Sequence, residues 1–92
     1  MGIFDKLKDV SEMRKQAKQI ESMLAKEIVV GQSGGGKIKI TIDGNQNVQS
    51  VEVDESIAGD KSEVARHIRA ALEDLTSKHK KMLQSQFGSM MK

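Results

Sequence analysis

The chain reads as an α+β protomer of order α-β-β-β-α: a three-stranded antiparallel meander with a long protruding helix at each end. Three observations predict this. Apolar residues step by three and four through Ile3, Leu7, Val10, Met13, Ala17, Ile20 and Leu24, and again through Val64, Ile68, Leu72 and Leu75, which is helical spacing. Between those segments, Lys37-Ile38-Lys39-Ile40-Thr41-Ile42-Asp43 alternates polar and apolar without a break, the period of a half-buried strand. Ser33-Gly34-Gly35-Gly36 and Gly44-Asn45-Gln46-Asn47 punctuate that middle stretch as turns. A chain of 92 residues makes one domain at most, 1–92, with a modest core that leans readily on a partner chain.

The first helix is expected over about residues 3–26, with no Gly or Pro to interrupt it and a narrow seam close to a heptad. Ile28-Val29-Val30 is β-branched and short, which places the first strand at about 27–32. The alternating run gives the second strand, about 37–43, and Val48 to Asp54 the third, about 48–54. A hairpin tip at Asn45-Gln46, with Gly44 opposite Asn47, sets Ile40 against Val51 and Ile38 against Val53 on one face. It sets Lys39 against Glu52 and Lys37 against Asp54 on the other. A slip of one residue would scramble both faces. Ile57-Ala58-Gly59 reads as a short link. Asp60 followed by Glu63 resembles a capping box, opening a second helix over about 60–87 that Gly88 stops. His79 and Met82 fall on the seam of that helix, where a hydrogen-bonded packing His is expected.

Both helices outrun strands of this length, because a helix of about 24 residues spans roughly 35 Å and a strand of seven only about 23 Å. They can leave the sheet on one side as an antiparallel arm. An arm with narrow seams buries little by itself, so a homodimer is expected.

Net charge is only +2, but it is segregated. Residues 1–18 and 75–92 together hold nine basic residues (Lys6, Lys8, Arg14, Lys15, Lys18, Lys78, Lys80, Lys81, Lys92) against three acidic ones. Residues 19–74 hold six basic and ten acidic residues. Positive arms on a negative body are an electrostatic footprint for phosphates, and this assigns Lys6, Lys8, Arg14, Lys15, Lys18, Lys78, Lys80 and Lys81 to a DNA-binding surface. Lysine runs are otherwise ordinary solvated helix surface, and near a helix C-terminus they complement its dipole. With no Trp or Tyr there is no platform for stacking single-stranded bases, so double-stranded DNA is the expected partner. Lys outnumbers Arg, which favours point-charge phosphate contacts over bidentate reading of guanine.

Other chemistries find little to stand on. There is no Cys, hence no disulfide framework, thiolate or Cys-ligated zinc, which suits a reducing cytoplasm. The longest apolar run, Ile28-Val29-Val30, is far too short to span a membrane, and the seams lack the Trp of an interfacial helix. Ser33-Gly34-Gly35-Gly36-Lys37 resembles a phosphate loop, but Ile38 stands where that motif needs Ser or Thr and a strand follows instead of a helix. A turn requiring positive φ explains the glycines. His67 and His79 lack metal-ligand spacing. No cofactor, metal, small-molecule substrate or catalytic group is expected. The competing reading is a scaffold dimer whose seams and methionines grip a partner helix.

Gly31-Gln-Ser-Gly-Gly-Gly36, then Lys37-Ile-Lys-Ile-Thr-Ile-Asp-Gly44, then Val48-Gln-Ser-Val-Glu-Val-Asp54-Glu-Ser-Ile57, flanked by a Lys/Gln/Met-rich helix and a second helix, resembles the YbaB/EbfC nucleoid-associated DNA-binding proteins of bacteria. The resemblance covers nearly the whole chain, and its specific part lies in the sheet. It implies a small tweezer-like homodimer with protruding helices that contact DNA, located in the cytoplasm on the nucleoid, where members coat DNA and influence gene expression.

Overall fold

The computed structural model describes residues 3–88, with side chains from Val10 onward. Its elements are α1 (Ile3–Ala25), β1 (Ile28–Gln32), β2 (Ile38–Asp43), β3 (Val48–Val53), α2 (Glu55–Ala58) and α3 (Lys61–Phe87). The three strands form one antiparallel sheet in the order β1-β2-β3. The molecule is about 65 Å long and 25 by 19 Å across.

Helix α3 lies across β1 and β2. The alternation along β2 turns Ile38, Ile40 and Ile42 to this face, where they join Val29, Ile57, Ala71 and Leu75 in the buried core. Val64 and Met82 pack against its two ends. The approach of helix to sheet is close because Gly31 has no side chain: a Cβ there would stand 2.4 Å from the Leu75 Cβ and 2.5 Å from the Ala71 carbonyl oxygen. Side chains complete the seat. The Asp74 carboxylate accepts from the Gln32 N–H at 2.9 Å, and the Lys78 ammonium donates to the Val30 carbonyl at 3.1 Å while pairing with Asp74 at 2.9 Å. The outer edge of β1 is thereby closed by α3.

The β1–β2 connection passes through a tight turn at Gly34–Gly36 in which Gly35 and Gly36 have φ of 71° and 69°, as expected of a glycine-only turn. Ser33 locks it: its hydroxyl accepts from the Ile38 N–H and shares a 2.8 Å hydrogen bond with His67 Nδ1 on α3.

The hairpin register holds at Ile38↔Val53, Lys39↔Glu52 and Ile40↔Val51, but the tip differs from the two-residue turn read from sequence. Asp43, not Gly44, faces Asn47, and its N–H donates to the Asn47 carbonyl. The loop is therefore Gly44-Asn45-Gln46, with Gln46 at φ 67°, the common three-residue hairpin. The Asp43 carboxylate causes this by accepting from the backbone N–H groups of both Asn45 and Asn47. A bulge at Gln49 restores the register, so Ile42 meets Val48. Of the two expected Lys–acid pairs, Lys37 comes within 3.9 Å of Asp54, while Lys39 and Glu52 are neighbours in register only.

The segment read as a plain link contains a helical turn, α2. Asp54 caps it by accepting from the Ser56 N–H, and Ile57 drops into the core. Asp60 then caps α3, accepting from the N–H groups of Ser62 and Glu63. Half of the capping box forms, because the Glu63 carboxylate turns to Arg66 instead of back to Asp60.

Helix α1 ends against the hairpin tip. The Gly44 N–H donates to the Leu24 carbonyl and the Asn45 amide to the Glu21 carbonyl, so the tip satisfies two of the carbonyls that a helix end leaves open. Beyond this joint α1 projects alone, and residues 10–23 are all exposed, including the seam residues Val10, Met13 and Ile20.

Candidate nucleic-acid interface

Helix α1 advances 100° per residue, so its faces follow from its sequence. The seam residues Val10, Met13, Ala17, Ile20 and Leu24 share one side. On the opposite side fall Ser11, Lys15, Lys18, Gln19, Ser22 and Lys26, with no acid among them. Arg14 flanks this stripe. Arg14, Lys15, Lys18 and Lys26 are exposed, and among the described residues none of them takes part in an ion pair. Lys18, Gln19, Ser22, Met23 and Lys26 line a shallow hollow along the helix. Lys26 is a member that reading by charge count missed. Its spacing of eleven from Lys15, about three helical turns, was the available signal. The side chains of Lys6 and Lys8 lie outside the described residues, as do Met90, Met91 and Lys92.

The three lysines of α3 divide. Lys78 is occupied by Asp74 and the Val30 carbonyl at the sheet edge. Lys80 and Lys81 are exposed, turned away from the buried His79. His79 donates from Nε2 to the Gly44 carbonyl at 2.8 Å, and its Nδ1 faces the Gln46 amide at 3.4 Å. Gly44 in turn bonds to Leu24 of α1. One joint at the hairpin tip thus links α1 to the part of α3 that carries Lys80 and Lys81. Gln86 adds a hydrogen bond to Glu27 at the α1–β1 junction. No described contact joins the α1 cations to those of α3.

The opposite end of the sheet is of mixed charge, with Lys37, Lys61 and Arg66 set among four carboxylates. Asp54, Glu55, Asp60 and Glu63 gather around α2 and the start of α3. Hydrogen bonds from Ser56, helped by Lys37, hold the Asp54 carboxyl below its ordinary pKa, and Arg66 does the same for Glu63. Beside the β1 edge, Asp74 is lowered chiefly by the Gln32 N–H, then by Lys78, with a smaller contribution from Lys81.

The model of the YbaB/EbfC DNA-binding family matches residues 1–92, the whole chain. The chain belongs to the YbaB/EbfC DNA-binding family. Among solved structures it is similar to that of the uncharacterized protein HP0035 from Helicobacter pylori, with a TM-score of 0.77 and 21% identity over 100% of this chain and 99% of that one. At that identity the likeness shows the fold. In this YbaB/EbfC-family protein the residues that build the sheet and its turns are those through which the family was recognisable, whereas the exposed cations sit on helices with little sequence signature of their own.

Elsewhere the surface offers little for chemistry. Among the described residues no three His, Asp or Glu side chains converge as a metal site would require, and no helix is long and apolar enough to cross a membrane. Ser33, His67 and Glu63 are in sequence of contact, with His67 Nε2 3.6 Å from the Glu63 carboxylate. Ser33 is buried, and its hydroxyl already accepts from the Ile38 N–H, so the group serves the turn and presents no exposed nucleophile.

Proposed function

We propose that this protein binds double-stranded DNA with little sequence preference through the basic helical arms, acting as a homodimeric nucleoid-associated protein that influences chromosome organisation and gene expression. Membership of a DNA-binding family supports the ligand. The observation that carries the mode is the acid-free stripe of Lys15 and Lys18 on a helix exposed over residues 10–23, continued by Lys26 just past its end, with Arg14 beside it. Cations that are neither paired nor buried keep their full charge for phosphates, and releasing counterions from the duplex supplies the binding free energy. Lys6 and Lys8 extend the same helix, and Lys80 and Lys81 add charge from α3. Lys78, already engaged, contributes least. A nucleoid location in the cytoplasm follows from the same reading. The contacts require no enzymatic step, cofactor or metal.

The test is fluorescence anisotropy with two labelled duplexes of unrelated sequence, titrated at several salt concentrations. Similar affinities and a steep fall of log affinity with log salt support the proposal. Failure of either duplex to bind at low salt overturns it. A second reading is favoured by one observation: Met13 is 66% exposed and Val10 46% on a seam with no partner. A helix-binding scaffold would hold its protein partner at high salt, where phosphate contacts fail.

A further inference from the structure

Helix α1 is a long lever on a small mount. Its 23 residues run for about 35 Å, and residues 10–23 are exposed. Among the described residues the hairpin tip provides the mount. The Gly44 N–H donates to the Leu24 carbonyl at 2.9 Å, and the Asn45 side-chain amide donates to the Glu21 carbonyl at 2.9 Å. These two carbonyls are about one turn apart, on the same side of the helix end. Two bonds one turn apart fix a direction, where a single bond would leave a pivot. Gly44 permits the close approach: a Cβ there would stand 2.5 Å from the Leu24 carbonyl oxygen.

The tip is itself fixed from behind. The Asp43 carboxylate accepts from the backbone N–H groups of Asn45 and Asn47 and from the Asn47 amide. His79 Nε2 donates to the Gly44 carbonyl at 2.8 Å, and the Gln46 amide meets Nδ1 of the same ring. Gly44 therefore stands between the two long helices. Its N–H holds α1, and its carbonyl is held by α3. The imidazole that anchors this joint immediately precedes Lys80 and Lys81 in the chain. The mount of the α1 cations and the cations of α3 thus share one rigid part.

We propose that Gly44 and Asn45 are positioning residues for DNA binding. They clamp α1 at a set angle to α3, so that Arg14, Lys15 and Lys18 meet the same rigid duplex as Lys80 and Lys81. This rests on the DNA-binding reading above. Both residues act through the helices and need no contact with DNA themselves. The length of the lever gives the reason. A swing of about 10° at the joint moves Lys15 by about 2 Å and the far end of the helix by about 6 Å, against a rise of about 3.4 Å per nucleotide of a duplex strand. An arm free to swing must be ordered on binding, and that cost is subtracted from affinity. The phosphate contacts finally made are the same in number, so the salt dependence is retained.

Gly44→Ala presses a methyl group onto the Leu24 carbonyl, and Asn45→Ala removes the second bond. The chain has no Cys, so Gln16→Cys with Ser77→Cys places one spin label on exposed α1 and one on exposed α3. Labelled chain diluted with unlabelled chain lets double electron–electron resonance read the distance within one molecule. The parent is expected to give one narrow distribution, and Gly44→Ala one about twice as wide or more. Duplex affinity is expected to fall about 10-fold in Gly44→Ala and about 3-fold in Asn45→Ala, with the salt slope within about one unit of the parent's. Binding of inorganic polyphosphate, a flexible polyanion that follows the arm wherever it points, should stay within about 2-fold of the parent's. A parent-like distance distribution in Gly44→Ala overturns the clamp. Parent-like duplex affinity beside a broadened distribution, or an equal loss for duplex and polyphosphate, overturns the positioning role. Should Gly44→Ala lose the parent's circular dichroism, the same readings on Asn45→Ala decide. A parent that binds no duplex at low salt overturns the DNA reading as well, whereas these other outcomes leave it standing.

Discussion

The two long helices have similar seams and opposite situations. Helix α3 buries Ala71, Leu75 and His79 and spends Asp74 and Lys78 on the edge of β1. Helix α1 keeps residues 10–23 exposed and, among the described residues, is held at its last turn by the hairpin tip. The difference lies in what each helix meets. Helix α3 finds a glycine on the facing strand and a row of isoleucines, so its seam becomes core. Among the described residues helix α1 meets the Gly44 N–H and the Asn45 side-chain amide at its last turn, so its seam and its cations from Val10 onward stay in water. Lys78 on α3 is therefore partly structural, whereas Arg14, Lys15 and Lys18 on α1 stay exposed.

Breaking the seat of α3 should have the largest effect. Gly31→Val forces a side chain into the Leu75 and Ala71 contact, where the 2.4 Å clash has no space to relax into. A loss of about 3 kcal/mol or more is expected, seen as a Tm lower by roughly 10–20 °C at fixed protein concentration. Arg14→Ala on α1 should stay within about 0.5 kcal/mol of the parent. His79→Leu comes next. It leaves the Gly44 carbonyl without its 2.8 Å donor at the joint of both helices, and about 1–3 kcal/mol should be lost in urea unfolding.

Lys78→Ala sharpens the comparison within one charge class. It should lower Tm by a few degrees by reopening the β1 edge, yet change the salt slope of DNA binding by less than about one unit. The smallest effect is in acid. The carboxyls of Asp43, Asp54, Glu63 and Asp74 are all lowered, chiefly by hydrogen bonds from Asn47, Ser56, Arg66 and Gln32 respectively. A carboxyl lowered in the folded state stabilises it fully above its unfolded pKa of about 4, and that contribution is lost as pH falls through the lower folded value. The urea midpoint should therefore be flat from pH 7 to about 5 and decline below about 4. Asp74→Asn should show a shallower acid decline than the parent.

Much of this was legible in the residues. Strict alternation over Lys37-Ile38-Lys39-Ile40-Thr41-Ile42-Asp43 permits one pairing with Val51 and Val53, and three pairs of the ladder follow from it. The tip did not follow, because its loop length is decided by the Asp43 carboxylate bonding the Asn45 and Asn47 N–H groups, a choice that no apolar pattern records. Helix α2 escaped notice for a similar reason. Its single turn depends on the Asp54 cap and on the burial of one residue, Ile57. In the candidate interface, charge counting treated Lys78, Lys80 and Lys81 alike. Asp74, four residues before Lys78, was the local signal that this lysine has a partner, but the Val30 carbonyl that completes its site is 48 residues away in sequence. The α1 stripe needed only helical phase, which leads on to Lys26, the residue just past the end of the helix at Ala25.

The measurement that decides most is the salt dependence of duplex binding by Arg14→Ala/Lys15→Ala/Lys18→Ala beside Lys78→Ala, with Tm recorded for both. The α1 variant should keep its Tm within a few degrees and lower the slope of log affinity against log salt by about 2–3 units, near 0.9 for each phosphate contact removed. Lys78→Ala should lower Tm and leave the slope nearly unchanged. An α1 variant that binds DNA with the parent's affinity and slope would contradict the assignment of DNA binding to the free helix.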